Sequence, residues 1–196
     1  MATDSPGIHV TMRRSIDVTR SWSSVTLDGV AVNDTNLVGT IGSSALQLDR
    51  QTDISLVLSV ADSIGALDAL FEMTREYAID RTAFGRPIGG FQAIKHQLAD
   101  MSLALEAGKA IATAATRSVQ AQDSFASEVA SIAKAWIAEA GIDIAQGCLQ
   151  IFAGIGFTWE HDSHLFLRRI TMNGMLYGQA SWHRGRIFDL HAGSNP

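Results

Sequence analysis

The sequence predicts a mainly α protein, an antiparallel up-and-down helical bundle with a short N-terminal β segment in front. Three observations carry this. The spacing of apolar residues changes from two to near 3.6 at about residue 46, which is the change from strand to helix. The later periodic runs are long and separated by short turns, so consecutive helices must lie antiparallel. Small residues, Ala112, Ala114, Ala115, Ala130, Ala133 and Ala138, fall inside those runs and permit close helix contacts.

Residues 8–40 read as short strands. Ile8 and Val10 alternate with polar partners, as do Val25 and Leu27, then Val30 and Val32 about Asp28-Gly29. Asp-Gly fits either a tight hairpin or a glycine bulge in one longer strand. So few strands cannot bury their own faces, and the segment must lie against something else. Gly39, Gly42, Ser43 and Ser44 make a flexible join. The first helix carries Leu56, Val60, Ile64, Leu67 and Phe71 on one face and ends near Asp80. A second follows Gly90, with Phe91, Ile94, Leu98, Met101 and Leu105 in one stripe, and runs to Gln120. After a turn at residues 121–124, with Ser124 as candidate N-cap, a third carries Val129, Ile132, Trp136, Ile137 and Ile144. It breaks at Gly154-Ile155-Gly156. A fourth helix is expected from near Trp159 and a fifth from after Gly178 to about Leu190, ahead of a short tail, His191–Pro196. The domain division expected is a β remnant over 1–45 and the bundle over 46–196.

The chain has 196 residues, enough for one well-filled core. A net charge of -5 gives no basic field for nucleic acid. One cysteine, Cys148, excludes a disulfide framework, and its apolar neighbours predict a buried thiol. The polar start, Met1–Gly7, carries no export signal, and no uninterrupted apolar run would span a bilayer. The expectation is a cytoplasmic protein. His161 and His164 share a helical face, but spacing places no third ligand, so no metal is expected. Arg168-Arg169 are read as pairing with the acidic residues nearby, and no nucleophile elbow is present.

Two stretches carry chemistry. Asp80–Gln92 interrupts the helices with Gly85, Pro87, Gly89 and Gly90 and holds two arginines, two phenylalanines and a glutamine. Such a loop can clamp a phosphate-bearing ligand, although the same composition also serves an ordinary turn. Gln150–Asp162 ends a helix in a near-bare backbone, Gly154-Ile155-Gly156, where either a ligand approaches main-chain amides or the helix simply stops.

Arg81-x-x-Phe84-Gly85, Phe91-Gln92, Leu98-Ala99-Asp100-Met101, Ala130–Ala135 and Gln150–Thr158, in this order, closely resemble the acyl-CoA dehydrogenase family, and residues 8–40 resemble the last strands of its middle β-domain. The match covers nearly the whole chain but only the C-terminal half of a usual member. The resemblance implies a helical bundle, FAD as cofactor, and an acyl-CoA substrate dehydrogenated between its α and β carbons in fatty-acyl or sterol side-chain β-oxidation. It implies an electron-transfer acceptor and assembly into homo- or hetero-oligomers with another acyl-CoA dehydrogenase chain. It also implies that Arg81, Phe84 and Gln92 contact the FAD of a neighbouring subunit, with Arg81 at its pyrophosphate, and that Gln150 and the backbone to Gly154 meet its adenosine end. Ala153 stands where the first glycine of that pair is usual.

The family places its catalytic carboxylate at one of two positions, which fall on Ser55 and Gly178 here; neither side chain is a base, and the catalytic residue is left unassigned. Asp53, two residues from Ser55, is turned to another helical face. The chain thus looks like a baseless subunit of the actinobacterial heteromeric type. The second reading is a non-catalytic assembly partner that completes a FAD site.

Overall fold

The computed structural model describes residues 4–193; Met1–Thr3 of the polar start and Ser194–Pro196 of the tail lie outside the described residues. The chain forms β1 (Ile8–Arg13), β2 (Trp22–Leu27), α1 (Ala45–Asp80), β3 (Thr82–Ala83), β4 (Arg86–Pro87), α2 (Gln92–Ala121), α3 (Ala126–Phe152), α4 (Ser163–Met175) and α5 (Ala180–Gly193). A mainly α bundle behind a short β segment is what the period change predicts.

Helix α3 is the centre, packing on α1, α2, α4 and α5. This is why it is rich in alanine. Ala130 and Ala133 are fully buried, as is Ala115 on α2, and the missing side-chain bulk lets neighbouring backbones close in. Ala114 instead faces solvent. The expected α3 stripe also divides: Ile137 and Ile144 are in the core, whereas Ile132 and Trp136 are exposed. On α1 Leu56, Val60 and Leu67 are buried as expected, joined by Leu70, Thr74 and Ala78, while Ile64 and Phe71 pack at the edge. On α2 only Met101 and Leu105 of the stripe are fully buried, because this outer helix has one covered face.

Ser124 makes no cap. Asp123 ties off the α2–α3 turn: its carboxylate accepts from the Phe125 N–H at 2.9 Å and from the Ser118 hydroxyl at 2.7 Å. Helix α4 starts at Ser163 rather than near Trp159, since Ala153–Phe157 forms a 3₁₀ turn first. At the far end His191–Gly193 belong to α5.

β1 and β2 pair antiparallel from Ile8 opposite Leu27 to Arg13 opposite Trp22. Asp28-Gly29 makes neither hairpin nor bulge; it ends β2, and Val30 and Val32 lie outside any strand. The segment between the strands fastens them to the bundle. Asp17, almost wholly buried, accepts from Arg169 Nε at 2.7 Å, and Arg169 also reaches Asp62 on α1 at 3.2 Å. Burial opposes ionisation of Asp17, but the hydrogen bonds from Thr19 and Arg169 prevail and hold its pKa below the usual carboxylate value. Arg20 pairs with Asp62 at 3.0 Å. Arg169 therefore pairs across more than a hundred residues rather than with the acids beside it, and Arg168 donates to the Ile16 carbonyl and stacks on Trp159.

The apolar face of the hairpin, Val10, Met12, Val25 and Leu27, remains exposed. Two helical stretches, Ala45–Asp80 and Ala126–Phe157, are long and apolar enough to cross a bilayer by length and mean hydropathy, although charged residues interrupt each. In the fold they pack on one another as the core helices.

Candidate functional site

The Asp80–Gln92 stretch is a built feature. Thr82-Ala83 pairs with Arg86-Pro87, leaving Phe84 and Gly85 as a two-residue hairpin turn with both φ positive, 53° and 78°. Glycine suits this conformation; a phenylalanine there is strained and is 96% exposed. Phe91 holds the hairpin from its other side, meeting the Phe84 ring edge-on at 6.2 Å and lying under the Arg86 guanidinium at 4.1 Å. Arg81 leaves α1 just before the hairpin. It is exposed and, among the described residues, its guanidinium has no ion-pair partner.

The second stretch folds against the first. Phe152 closes α3 and packs between Tyr77, at 5.1 Å, and His161, at 4.3 Å. Between the two stretches lies a cavity of about 590 Å³, whose lining includes Arg81, Phe84, Phe91, Gln150, Phe152 and Gly154. Four of the five predicted cofactor residues, Arg81, Phe84, Gln150 and Gly154, thus come together from positions some seventy residues apart in the chain. Gln92 does not line this cavity; it is the exposed first residue of α2, next to Phe91. A Cβ at Gly154 would meet nothing within 4 Å, so its backbone is open to a ligand.

Ala153 turns the chain at φ 54°, ψ −133°. This region is nearly reserved for glycine and costs a residue with a Cβ about 1–3 kcal/mol. Ala153→Gly is expected to stabilise the protein by roughly 1 kcal/mol, the strain relieved exceeding the entropy gained by the unfolded chain. A urea midpoint that rises at constant slope is the expected readout; a fall would refute the strain.

A second, smaller cavity of about 210 Å³ lies at the hairpin side of α1, bordered by Ser55, Ser59, Trp22, Leu176 and Tyr177. Ser55 is one of the two positions at which the family resemblance implies a carboxylate base, and Gly178, the other, directly follows Tyr177. No free carboxylate lines this space: Asp62 does, but it is held by Arg20 and Arg169. Asp53 faces away, buried against α3 and α5.

Lys134 and His183, which no motif marks, are both fully buried beneath the α4–α5 turn. Burial pulls the Lys134 pKa down to about 8. Burial, followed by the nearby Lys134 charge, pulls His183 down to about 4 against the opposing hydrogen bond to the Tyr177 carbonyl, so the ring is neutral near pH 7. The available signal was a lysine inside the apolar run Ala130–Ala135. Cys148 is buried as expected, 3.9 Å from the Met101 sulfur, and burial pushes its thiol up to about 11. His161 stacks on Phe152 and His164 on Trp159. No group of three or more potential metal-ligating side chains occurs among the described residues.

Residues 52–189 match the family model described as acyl-CoA dehydrogenase, C-terminal domain. Acyl-CoA dehydrogenase FadE34 of Mycobacterium tuberculosis is 39% identical over 141 residues, 69% of this chain and 19% of that protein. Acyl-CoA dehydrogenase IpdE2 of the same organism is 36% identical over 117 residues, 60% of this chain and 35% of that one. In the solved ChsE4–ChsE5 complex from M. tuberculosis, a chain 28% identical superposes with a TM-score of 0.89, covering 100% of this chain and 52% of that one. Butyryl-CoA dehydrogenase from Megasphaera elsdenii, 22% identical with a TM-score of 0.90, shares the fold over 98% of this chain and 50% of its own. The chain spans about half the length of these solved structures and less of the curated relatives.

Proposed function

The chain belongs to the acyl-CoA dehydrogenase family, through its C-terminal domain, and on that premise we propose that it forms part of a FAD site in an acyl-CoA dehydrogenase assembled from more than one chain. One observation carries this reading: the 590 Å³ cavity unites Arg81 and Phe84 with Gln150 and Gly154, and Arg81 reaches it with no ion pair of its own. The residues fit the cofactor. A guanidinium without an ion pair among the described residues suits pyrophosphate oxygens, the exposed Phe84 ring suits a planar base, and the open backbone at Gly154 admits close approach. Gln92, outside the cavity but beside Phe91, is assigned to the rim of the same site.

FAD, when bound, supplies the hydride acceptor for the β carbon of an acyl-CoA while a carboxylate removes the α proton. This chain's residues bind, orient and exclude water. Among the described residues the one carboxylate lining the smaller cavity is Asp62, which is engaged by Arg20 and Arg169, and Ser55, at one of the two positions expected for a base, is a hydroxyl. The carboxylate is therefore assigned to a partner chain of the same family. That same observation favours the second reading, a non-catalytic partner that completes the cofactor site. The exposed apolar face of β1–β2 suits a partner's β-structure. The M. tuberculosis relatives are acyl-CoA dehydrogenases, which supports an acyl-CoA thioester as substrate; we assign it to the fatty-acyl or sterol side-chain class and the reoxidation of the flavin to a separate electron-transfer acceptor. A cytoplasmic site of action is part of this proposal.

The visible spectrum of the chain, purified alone and with a co-expressed family partner, tests the proposal. Flavin bands that require the partner and bleach with an acyl-CoA are expected; no flavin in either sample would sink it. Arg81→Ala should weaken flavin retention in the assembly by about 10–100-fold, the worth of a charge-assisted contact of ~1.5–3 kcal/mol. Unchanged flavin content would remove Arg81 from the site.

A further inference from the structure

Lys134 is fully buried. A buried ammonium is ordinarily paired with a carboxylate. Lys134 has no such partner among the described residues; its Nζ donates instead to two backbone carbonyls, Gly174 at 2.9 Å and Gly178 at 3.3 Å. Gly174 belongs to the last turn of α4 and Gly178 to the connection between α4 and α5. A further carbonyl of that connection, Tyr177, lies 3.1 Å from His183 Nε2. A carbonyl only accepts, so Nε2 carries the hydrogen and Nδ1 is left bare; Nδ1 is indeed buried without a partner. Burial keeps the ring neutral at pH 7, and the hydrogen bond to the Tyr177 carbonyl selects the tautomer.

The turn needs holding. Tyr177 and Gly178 adopt positive φ in succession, 59° and 109°, and the first is a bulky residue in a conformation that favours glycine. A Cβ at Gly178 would come within 2.7 Å of the Trp182 ring. On its outer side the same turn presents Leu176 and Tyr177 to the 210 Å³ cavity, facing Ser55 and Ser59. Lys134 from α3 and His183 from α5 thus grip from beneath a strained segment whose upper side forms a cavity wall.

We propose that Lys134 and His183 are positioning residues that clamp the Leu176–Gln179 turn and so fix the Tyr177 wall of the smaller cavity. The clamp stands on these contacts alone; its use in turnover rests on the function proposed above. The side chains touch the carbonyls of the wall and not the cavity itself.

The chain has two tyrosines, Tyr77 and Tyr177, so labelling with 3-fluorotyrosine gives two ¹⁹F resonances, assigned by Tyr177→Phe. Tyr77 lies roughly 33 Å along α1 from Ser55, at about 1.5 Å per residue, and serves as the internal control. Lys134→Met and His183→Leu should each shift or broaden the Tyr177 resonance and leave Tyr77 in place. His183→Gln, which keeps an N–H near the Nε2 position, should restore it. An unmoved Tyr177 resonance overturns the clamp. Both resonances moving together overturns it equally, since that is general loosening. Failure of the glutamine to rescue removes His183. Should Lys134→Met not fold, lysine-labelled wild-type protein decides: an Nζ signal protected from water exchange is required, and its absence refutes the contact. None of these readings needs flavin, so they fail independently of the Arg81 test.

Discussion

Asp53→Ala is expected to cost about 3–5 kcal/mol of folding stability, the price of leaving a buried cation without its counter-charge. Asp53 sits on α1, almost wholly buried, and accepts from the Ser127 hydroxyl at 2.5 Å and from Arg186 at 3.1 Å. Arg186 on α5 also donates to Ser131 of α3 at 2.8 Å, so the cluster pins three helices together. Removing the carboxylate strands a guanidinium whose side chain is only 16% exposed. Against a total of roughly 5–15 kcal/mol for a domain, that loss is large. Urea denaturation measures it. Asp53→Leu combined with Arg186→Met should recover much of the loss, because replacing both charges removes the desolvation penalty as well. A single-variant loss below about 1 kcal/mol would show that the pair contributes little. The role is structural, which agrees with Asp53 lying on a different face from Ser55 and off both cavities.

Asp53 also marks the boundary of what the sequence discloses. Periodicity fixes which face of a helix a residue occupies, and the separation of Asp53 from Ser55 follows from that alone. It does not disclose the partner, because Arg186 arrives from 133 positions away on a helix whose rotation depends on packing. The same holds for Arg169, whose acids come from β1–β2 and α1 rather than from Glu160 and Asp162. Lys134 was harder still to read, since its partners are carbonyls and any residue supplies a carbonyl. Ile132 and Trp136 satisfy the helical stripe yet remain exposed, because α3 has more apolar circumference than its four neighbours cover. The candidate site was legible for a different reason: glycines and a hairpin turn are local chemistry, so both loops could be located before their meeting was known. That Gln92 stays outside the cavity was not legible, since one residue of rotation at a helix start decides it.

Phe152→Ala should cost a further ~3–5 kcal/mol and, unlike Asp53→Ala, should damage the cofactor site with it. The ring is 1% exposed and is wedged between Tyr77 of α1 and His161 of the loop before α4, so its loss leaves a void with little to refill it. Phe152 is also the last residue of α3, directly before the strained Ala153, and it lines the cavity shared by Arg81 and Gln150. Without it the Gln150–Gly154 backbone loses the aromatic contact that packs it against Tyr77 on α1. Phe152→Leu, which keeps most of the volume, should cost less than about 1.5 kcal/mol. The pair separates packing from site geometry. If flavin retention in the assembled protein falls for alanine and is kept for leucine, the ring acts as a spacer between the two loops. If both variants retain flavin while alanine loses stability, the two loops do not need each other to hold the cofactor, and the case for one shared site weakens to Arg81 and Phe84 alone.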